Sequence, residues 1–149
     1  MSALSDPHTL VAATATLSDA SRTTAGILLL ALVTVESGGI YMLKVVRGNA
    51  DVTPFQEKFA RAGHGHAGVL LLLALICQVL ADSTQQTGAL NWLSRSGVAV
   101  AALLMPGGFF FSSMGAGRTT PNKLIVLVFA GAALLAVSLV SLGIGLLTA

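Results

Sequence analysis

The chain has 149 residues, of which 54% are hydrophobic and only 9% are charged. A soluble domain carries about 25% charged residues, so this composition excludes a water-facing surface over most of the chain and favours an integral membrane protein in contact with lipid. The single cysteine, Cys77, excludes an intrachain disulfide and a cysteine-based metal site. No phosphate-binding loop, nucleophile triad or basic nucleic-acid patch is present, so we expect no nucleic-acid partner.

Residues 1–23 form a polar N-terminal segment, predicted to be a short interfacial helix or a tail. Ser5-Asp6-Pro7 indicates a helix start, because Ser or Asp caps helices and Pro is favoured in the first turn. His8 lies in this segment and is expected to be solvated. The first long apolar run begins only after Arg22, so we expect no cleaved signal sequence.

Residues 24–149 contain four apolar runs, each long enough to cross a hydrocarbon core of about 30 Å. The predicted spans are about 24–43, 62–81, 93–113 and 123–147. Residues 44–63 are expected to form a polar loop in which Thr53-Pro54 marks a turn or a helix start. The predicted fold is therefore an all-α, polytopic membrane four-helix bundle.

The Lys and Arg residues indicate the orientation of the spans. Six of the eight lie in or beside the loops 44–61 and 114–123, whereas only Arg22 and Arg95 lie on the other face. Basic loops remain in the cytoplasm, so we predict a plasma (inner) membrane protein with both of these loops inside and both termini outside.

Glu36 is the costliest residue of the first span, because an acidic group near a helix centre costs about 2.5–3.5 kcal/mol on insertion. We therefore expect its side chain to face the interior of the bundle. It is the candidate catalytic residue, as a proton carrier or a general acid or base. A carboxyl group that only bonds a neighbouring helix is the structural alternative.

His64 and His66 are the candidate cofactor and metal ligands at the start of the second span. Two residues correspond to about 200° on a helix, so the rings converge only if Gly63–Gly65 is not helical. His66 is the better inward candidate, and its neutral imidazole suits haem iron or another transition metal. Interfacial histidines that bond water or lipid phosphate are the alternative. Since the first two helices are antiparallel, we expect Glu36 and His66 to line one cavity.

Three further patterns concern packing. Pro106-Gly107-Gly108 predicts a weakened or kinked third helix. Gln78 is predicted to form an interhelical hydrogen bond, and the small residues of the fourth span favour close packing within the bundle or between copies.

Four helices make a thin bundle with little interior, so we expect a homo-oligomer with any site near a subunit interface.

Three segments together resemble the styrene oxide isomerase family of small four-helix membrane proteins. They are Gly26-Ile-Leu-Leu with Glu36-Ser-Gly-Gly-Ile-Tyr41, Ala60-Arg-Ala followed by a histidine, and Gly107-Gly-Phe-Phe-Phe-Ser-Ser113 followed by Pro121-Asn122. The resemblance implies a trimer that binds haem b. It also implies a redox-neutral rearrangement of a small hydrophobic epoxide to an aldehyde, with iron as the Lewis acid. His66, or His64, would bind iron, and Glu36 would polarise the substrate or shuttle protons.

Two other functions fit the same sequence. A non-catalytic accessory subunit of a larger membrane complex, such as a respiratory one, also needs short loops and no substrate domain. A proton- or small-solute-conducting bundle would use Glu36 and the histidines as its polar groups.

Overall fold

A computed structural model describes residues 17–149 of the chain. The predicted helix start at residues 5–7 and the predicted solvated His8 lie outside the described residues.

Four helices long and apolar enough to cross a membrane make up the described chain, which confirms the all-α membrane four-helix bundle. They are α1 (Asp19–Val46), α2 (Pro54–Ala81), α3 (Gly88–Ser113) and α4 (Lys123–Leu147). Both α1 and α3 begin at the end of the bundle that we call the terminal end. The opposite end, with loops 47–53 and 114–122, is the basic end.

The helix α2 begins well before the predicted span, so much of the predicted polar loop 44–63 is helical. Thr53 accounts for this early start, since its hydroxyl accepts a hydrogen bond from the Gln56 amide and the Gln56 side chain accepts one from the Thr53 amide. Pro54 follows at the first helical position. This reciprocal capping box satisfies two free amide groups and nucleates a helix in a polar sequence. As a result, both histidines lie more than two turns inside α2.

The capped start of α2 is also tied to the loop that follows α3. Gln56 Nε2 donates to the carbonyls of Ser113 at 3.0 Å and Gly115 at 2.8 Å. The Thr53 hydroxyl donates to the carbonyl of Arg118. Three side-chain hydrogen bonds therefore hold the basic end of α2 against the α3–α4 loop.

The helices pack in chain order, with α1 against α2, α2 against α3, and α3 against α4. In its most apolar stretch only 11% of α1 is buried within the chain, compared with 50% of α3. The main core consists of Leu28, Leu70, Leu71, Ala74, Cys77, Ala81, Val98, Ala102, Met105 and Leu142. It therefore lies around α2 and α3, and α1 presents most of its surface outward.

The helix α3 departs from regular geometry in two places. Leu93–Gly97 forms a π-helical turn, and the fully buried Gln78 of α2 donates from Nε2 to the Arg95 carbonyl within that turn at 2.5 Å. This contact confirms the interhelical hydrogen bond predicted for Gln78. Pro106 lies inside the helix, which continues past it to Ser113.

Glycines allow α3 and α4 to cross closely. A Cβ added at Gly108 of α3 would lie 2.6 Å from the backbone nitrogen of Val128 in α4. A Cβ added at Gly131 of α4 would lie 3.0 Å from the backbone nitrogen of Met105 in α3. Real Cβ contacts are longer than the first of these distances, so the two backbones require glycine at their crossing. This small-residue contact is a common means of association between membrane helices.

Gly108→Ala should destabilise the protein, because the new methyl group would push α4 away from α3. We expect a loss of about 1–3 kcal/mol, as for other overpacked sites, measured as a lower melting temperature in detergent. The adjacent Gly107→Ala is the matched control, since its Cβ would meet only the flexible Phe111 ring at 3.4 Å. Equal melting temperatures for the two variants would contradict the close crossing.

A polar cluster at the terminal end joins three helices. Arg95 of α3 forms an ion pair of 2.6 Å with Asp82, which follows α2, and the two side chains are only 14% and 17% exposed. Ser18 donates to Asp82 from its backbone amide at 2.9 Å and its hydroxyl at 2.8 Å. Ser21 of α1 donates to the same carboxylate at 3.0 Å. Asp82 therefore connects α1, α2 and α3 through one carboxylate.

Asp82→Ala should destabilise the protein, because it removes the carboxylate that pairs with the Arg95 guanidinium and accepts hydrogen bonds from Ser18 and Ser21. We expect a loss of about 2 kcal/mol, between the values for exposed and for buried ion pairs. Asp19→Ala is the control, since Asp19 pairs with Arg22 at 3.1 Å but its side chain is 94% exposed. That variant should change the melting temperature by less than a quarter as much.

The stability contributed by Asp82 should depend on pH. Partial burial opposes ionisation, but hydrogen bonds from Ser18, Arg95 and Ser21 outweigh it and lower the pKa of Asp82 to about 2. An acid whose pKa is lowered in the folded protein contributes its full stabilisation above the ordinary Asp pKa of about 3.9. That stabilisation is lost as the pH falls through the folded-state pKa of about 2. The melting-temperature difference between wild type and Asp82→Ala should be constant from pH 6 to 5 and shrink between pH 4 and 2. A difference that does not shrink would contradict this assignment.

Candidate functional site

Glu36 lies on the outer face of α1. It is exposed, and with Val33, Ser37 and Ile40 it lines a shallow depression of about 320 Å³. Its predicted position in the interior of the chain's own bundle is therefore wrong. The cause is the phase of α1, because Val35, Gly38 and Gly39 face α2 and Glu36 lies about 100° from the middle of that side.

This placement leaves a carboxyl group at hydrocarbon depth. Glu36 is ten residues before the end of α1 at Val46, which corresponds to about 15 Å along the helix. Within the described residues, no hydrogen bond or ion pair of the Glu36 carboxyl is present. The described part of a single chain therefore does not compensate the insertion cost of about 2.5–3.5 kcal/mol.

His64 faces α1. A Cβ added at Gly38 would lie 3.6 Å from His64 Nδ1, and one added at Gly39 would lie 3.8 Å from His64 Nε2. The imidazole therefore packs over a pair of glycines, at the contact where α1 and α2 approach each other. Such a flat surface leaves room for a ring but contributes no side-chain partner.

His66 lies on a different side of α2. Its ring contacts the Phe109 ring of α3, with centroids 5.1 Å apart. Since α2 is helical throughout Gly63–Gly65, the two imidazoles diverge, and they do not bind a common partner within one chain. Phe59 packs edge-on against the same Phe109 ring, with centroids 5.5 Å apart, so His66 belongs to a cluster of aromatic rings.

A hydrogen bond determines which nitrogen of His66 is available. Nδ1 lies 2.7 Å from the carbonyl oxygen of Ala62, one turn earlier in α2. A carbonyl oxygen only accepts, so Nδ1 carries the proton that is donated to it. In the neutral ring the lone pair is then on Nε2. This is the arrangement of metal-binding histidines, in which the second nitrogen is held by a carbonyl or carboxylate.

An open groove of about 360 Å³ lies beside His66. It is lined by Arg61, Ala62, Gly65, His66 and Val69, all from α2. A Cβ added at Gly65 would meet nothing within 4 Å, so the floor of the groove is flat and accessible at that point. Arg61 lies at its end toward the basic loops and pairs with Glu57 at 2.7 Å.

Glu36 and His66 occupy separate pockets, so the prediction that they line one cavity of a single chain is wrong. They are nevertheless at the same level along the bundle. Along the α1–α2 contact, Gly38 lies beside His64. Val35 lies beside Gly68, since a Cβ added at Gly68 would be 3.9 Å from it. Antiparallel helices in this register place residue 36 beside residues 66–67.

The described residues contain no group of three or more His, Cys, Asp or Glu side chains that is arranged to hold a metal ion. A haem requires only one axial imidazole from the protein, so His66 stays a candidate for that role. Comparison of the chain with protein-family models, with curated proteins and with solved structures finds no match in any of the three.

Two parts of the His66 environment were not predicted from the sequence. The Ala62 carbonyl was missed because the sequence analysis left open whether Gly63–Gly65 is helical. A helix that begins at Thr53 places residue 62 one turn before residue 66, so the capping box was the signal available. Phe109 had no such signal, because its contact with His66 depends on how α3 rotates against α2.

Proposed function

We propose that this chain is an integral membrane protein that binds haem b through His66 Nε2. The supporting observation is that the Nδ1 of His66 is held by the Ala62 carbonyl while the same residue lines an open groove. Orientation by the bound Ala62 carbonyl reduces the freedom that an axial ligand would otherwise lose on binding iron.

The residues of the groove suit a large flat group. Ala62 and Gly65 project little from α2, and Val69 supplies an apolar surface one turn after Gly65. Arg61 lies at the end nearest the basic loops, and a guanidinium there is a good partner for the carboxylate groups of haem. The groove is shallow and open within one chain, so a second surface is needed to enclose such a group.

We further propose a redox-neutral epoxide-to-aldehyde rearrangement of the styrene oxide isomerase type. When bound, haem iron supplies a Lewis acid that polarises the epoxide oxygen. The chain contributes an apolar groove that takes a small hydrophobic epoxide from the lipid phase and excludes the water that would otherwise hydrolyse it. Glu36 of the same chain faces away from this groove, so any role for it in holding or moving a proton requires a second copy.

The proposed location is the plasma (inner) membrane with the basic end in the cytoplasm. Lys44, Arg47, Lys58 and Arg61 surround the first basic loop, and Arg118 and Lys123 the second. This bias of positive charge is the usual determinant of orientation.

His66→Ala should abolish haem binding, because it removes the only proposed axial ligand. The purified protein should show a Soret absorption band in wild type and in the control His64→Ala, but not in His66→Ala. The control is matched, since it also removes an imidazole ring, but from position 64, which faces α1. A Soret band retained in His66→Ala and lost in His64→Ala would transfer the ligand role to His64. Colourless wild-type protein after expression with sufficient haem would contradict the proposal.

Purified wild-type protein should convert an aryl epoxide to the corresponding aldehyde without any added nucleotide or electron donor. Gas chromatography of the product follows the reaction, and His66→Ala should reduce the rate to the uncatalysed value. Haem-loaded protein that produces only the diol, or no product, would contradict isomerase activity while leaving haem binding intact.

The accessory-subunit alternative has some support from α1, because most of that helix is not covered by its own chain. Stable co-purification with a larger heterologous membrane complex would favour it. The conducting alternative is less well supported, since Glu36, His64 and His66 point to three different sides of the described bundle.

A further inference from the structure

We propose that a buried water-binding site lies between α2, α3 and α4, where one water molecule joins the side-chain oxygen of Gln78 to the hydroxyl of Ser138. The site lies against the π-helical turn Leu93–Gly97 of α3. Turns of this kind are frequent at functional sites in membrane and soluble helices alike. The site is independent of haem and of the groove beside His66.

Two buried polar atoms carry this inference. Gln78 Oε1 and Ser138 Oγ belong to fully buried side chains, and neither atom has a hydrogen-bond partner among residues 17–149. They are the only two buried side-chain atoms in that range of which this is true. A buried polar atom without a partner is costly, and nearly all such atoms in proteins are bonded to protein or to ordered water.

Ser138 differs from other buried serines of the bundle. Ser112 and Ser113 donate to the carbonyl three residues earlier in α3, at 3.4 and 3.0 Å. A serine inside a helix commonly satisfies its hydroxyl in this way. The Ser138 hydroxyl instead points at α3, where a Cβ added at Gly97 would overlap its oxygen. Glycine at position 97 therefore makes room for the hydroxyl but brings no side chain that could bond it.

The nitrogen of the Gln78 amide fixes the direction of its oxygen. Nε2 donates to the carbonyls of Ala74 at 3.2 Å and Arg95 at 2.5 Å. Because both partners only accept, the amide cannot be turned over, and Oε1 requires a donor. The Arg95 carbonyl belongs to the same π-helical turn as Gly97, so Gln78 and Ser138 both approach this turn.

The two side chains also meet the same part of the core. Cys77, next to Gln78, and Leu142, one turn after Ser138, belong to one cluster of packed buried side chains. Gly97 is nine residues after the start of α3, and Ser138 is nine residues before the end of α4. Both distances correspond to about 13 Å from the terminal end. The two oxygens are therefore at a common depth on either side of one turn.

The chemistry of the two oxygens identifies the ligand. Oε1 of Gln78 only accepts, so the ligand must donate, whereas the Ser138 hydroxyl can donate or accept. The acidic residue that follows Gln78 by one turn is Asp82, and its carboxylate is occupied by Arg95 and Ser21. The site therefore lacks the negative charge that would favour a metal ion. Water is small, neutral and able to donate twice, and buried waters commonly bridge polar groups of this kind.

Thermal unfolding in detergent tests the bridge. Ser138→Ala should lower the melting temperature by about 2–4 °C, because the water loses one of its partners. Removal of a hydroxyl that is simply unbonded would leave the melting temperature unchanged or raise it, and either result would overturn the proposal. Ser112→Ala is the matched control, since it also removes a fully buried helical hydroxyl, but one with a long bond inside its own helix. The control should change the melting temperature less than half as much.

A double-mutant cycle separates the bridge from simple packing of Ser138 against Gly97. Gln78→Met removes the amide but keeps a side chain of similar length. In that background Ser138→Ala should lower the melting temperature less than a quarter as much as it does in wild type, because the bridge is already broken. An equal loss in both backgrounds would show that Ser138 acts through packing alone, and would overturn the proposal.

An X-ray structure of the wild-type protein in a lipid phase, at a resolution that shows ordered water, is the second measurement and requires no variant. Solvent density within hydrogen-bonding distance of both Gln78 Oε1 and Ser138 Oγ is the expected result. A direct hydrogen bond between these two atoms, a metal ion between them, or no density between them would each overturn the proposal. The outcome does not depend on haem, so it is distinct from that of the absorption experiment.

Discussion

The continuous helical backbone of α2 from Pro54 through Gly63–Gly65 is the constraint on which the candidate site depends. It fixes the angle between His64 and His66, directs one ring to the glycines of α1, and directs the other toward Phe109 and the open groove. It also brings the Ala62 carbonyl under the His66 ring. Because the helix starts at the Thr53 cap, a local interaction more than two turns away determines which nitrogen is available.

The sequence was sufficient to predict a membrane protein with four spans, because the hydropathy of a segment of about 20 residues depends on its composition and not on its tertiary contacts. The helix ends were harder to predict. Thr53-Pro54 was read correctly as a turn or a helix start, but the polar character of residues 55–61 hid the helix that follows it. Membrane helices extend beyond the hydrocarbon, and hydropathy does not detect those turns.

The side-chain directions were harder still. The rule that an acidic residue faces the interior assumes that one chain supplies the interior, and Glu36 shows where that assumption fails. The two acidic residues Asp82 and Glu36 differ in their surroundings for the same reason. Asp82 lies beside Arg95 and two serines at a helix end, whereas the position of Glu36 in α1 offers no such neighbours. The Asp82 cluster was not predicted, since Asp82 and Arg95 are separated by a loop and were read only as a span end and an orientation charge.

The hydrogen bonds of Gln56 to the α3–α4 loop have a mechanical consequence. They fasten α2 to α3 at the basic end, while Gln78 and Arg95 fasten the same two helices toward the terminal end. A pair of helices held at both ends resists sliding, so the spacing between His66 and Phe109 is stiff. In contrast, α1 is attached near its beginning by Ser21 and elsewhere mainly by apolar packing. Met42 and Val45 near the other end of α1 pack against Ala60 of α2, so α1 is anchored at both ends, by polar contacts at one and by apolar contacts at the other.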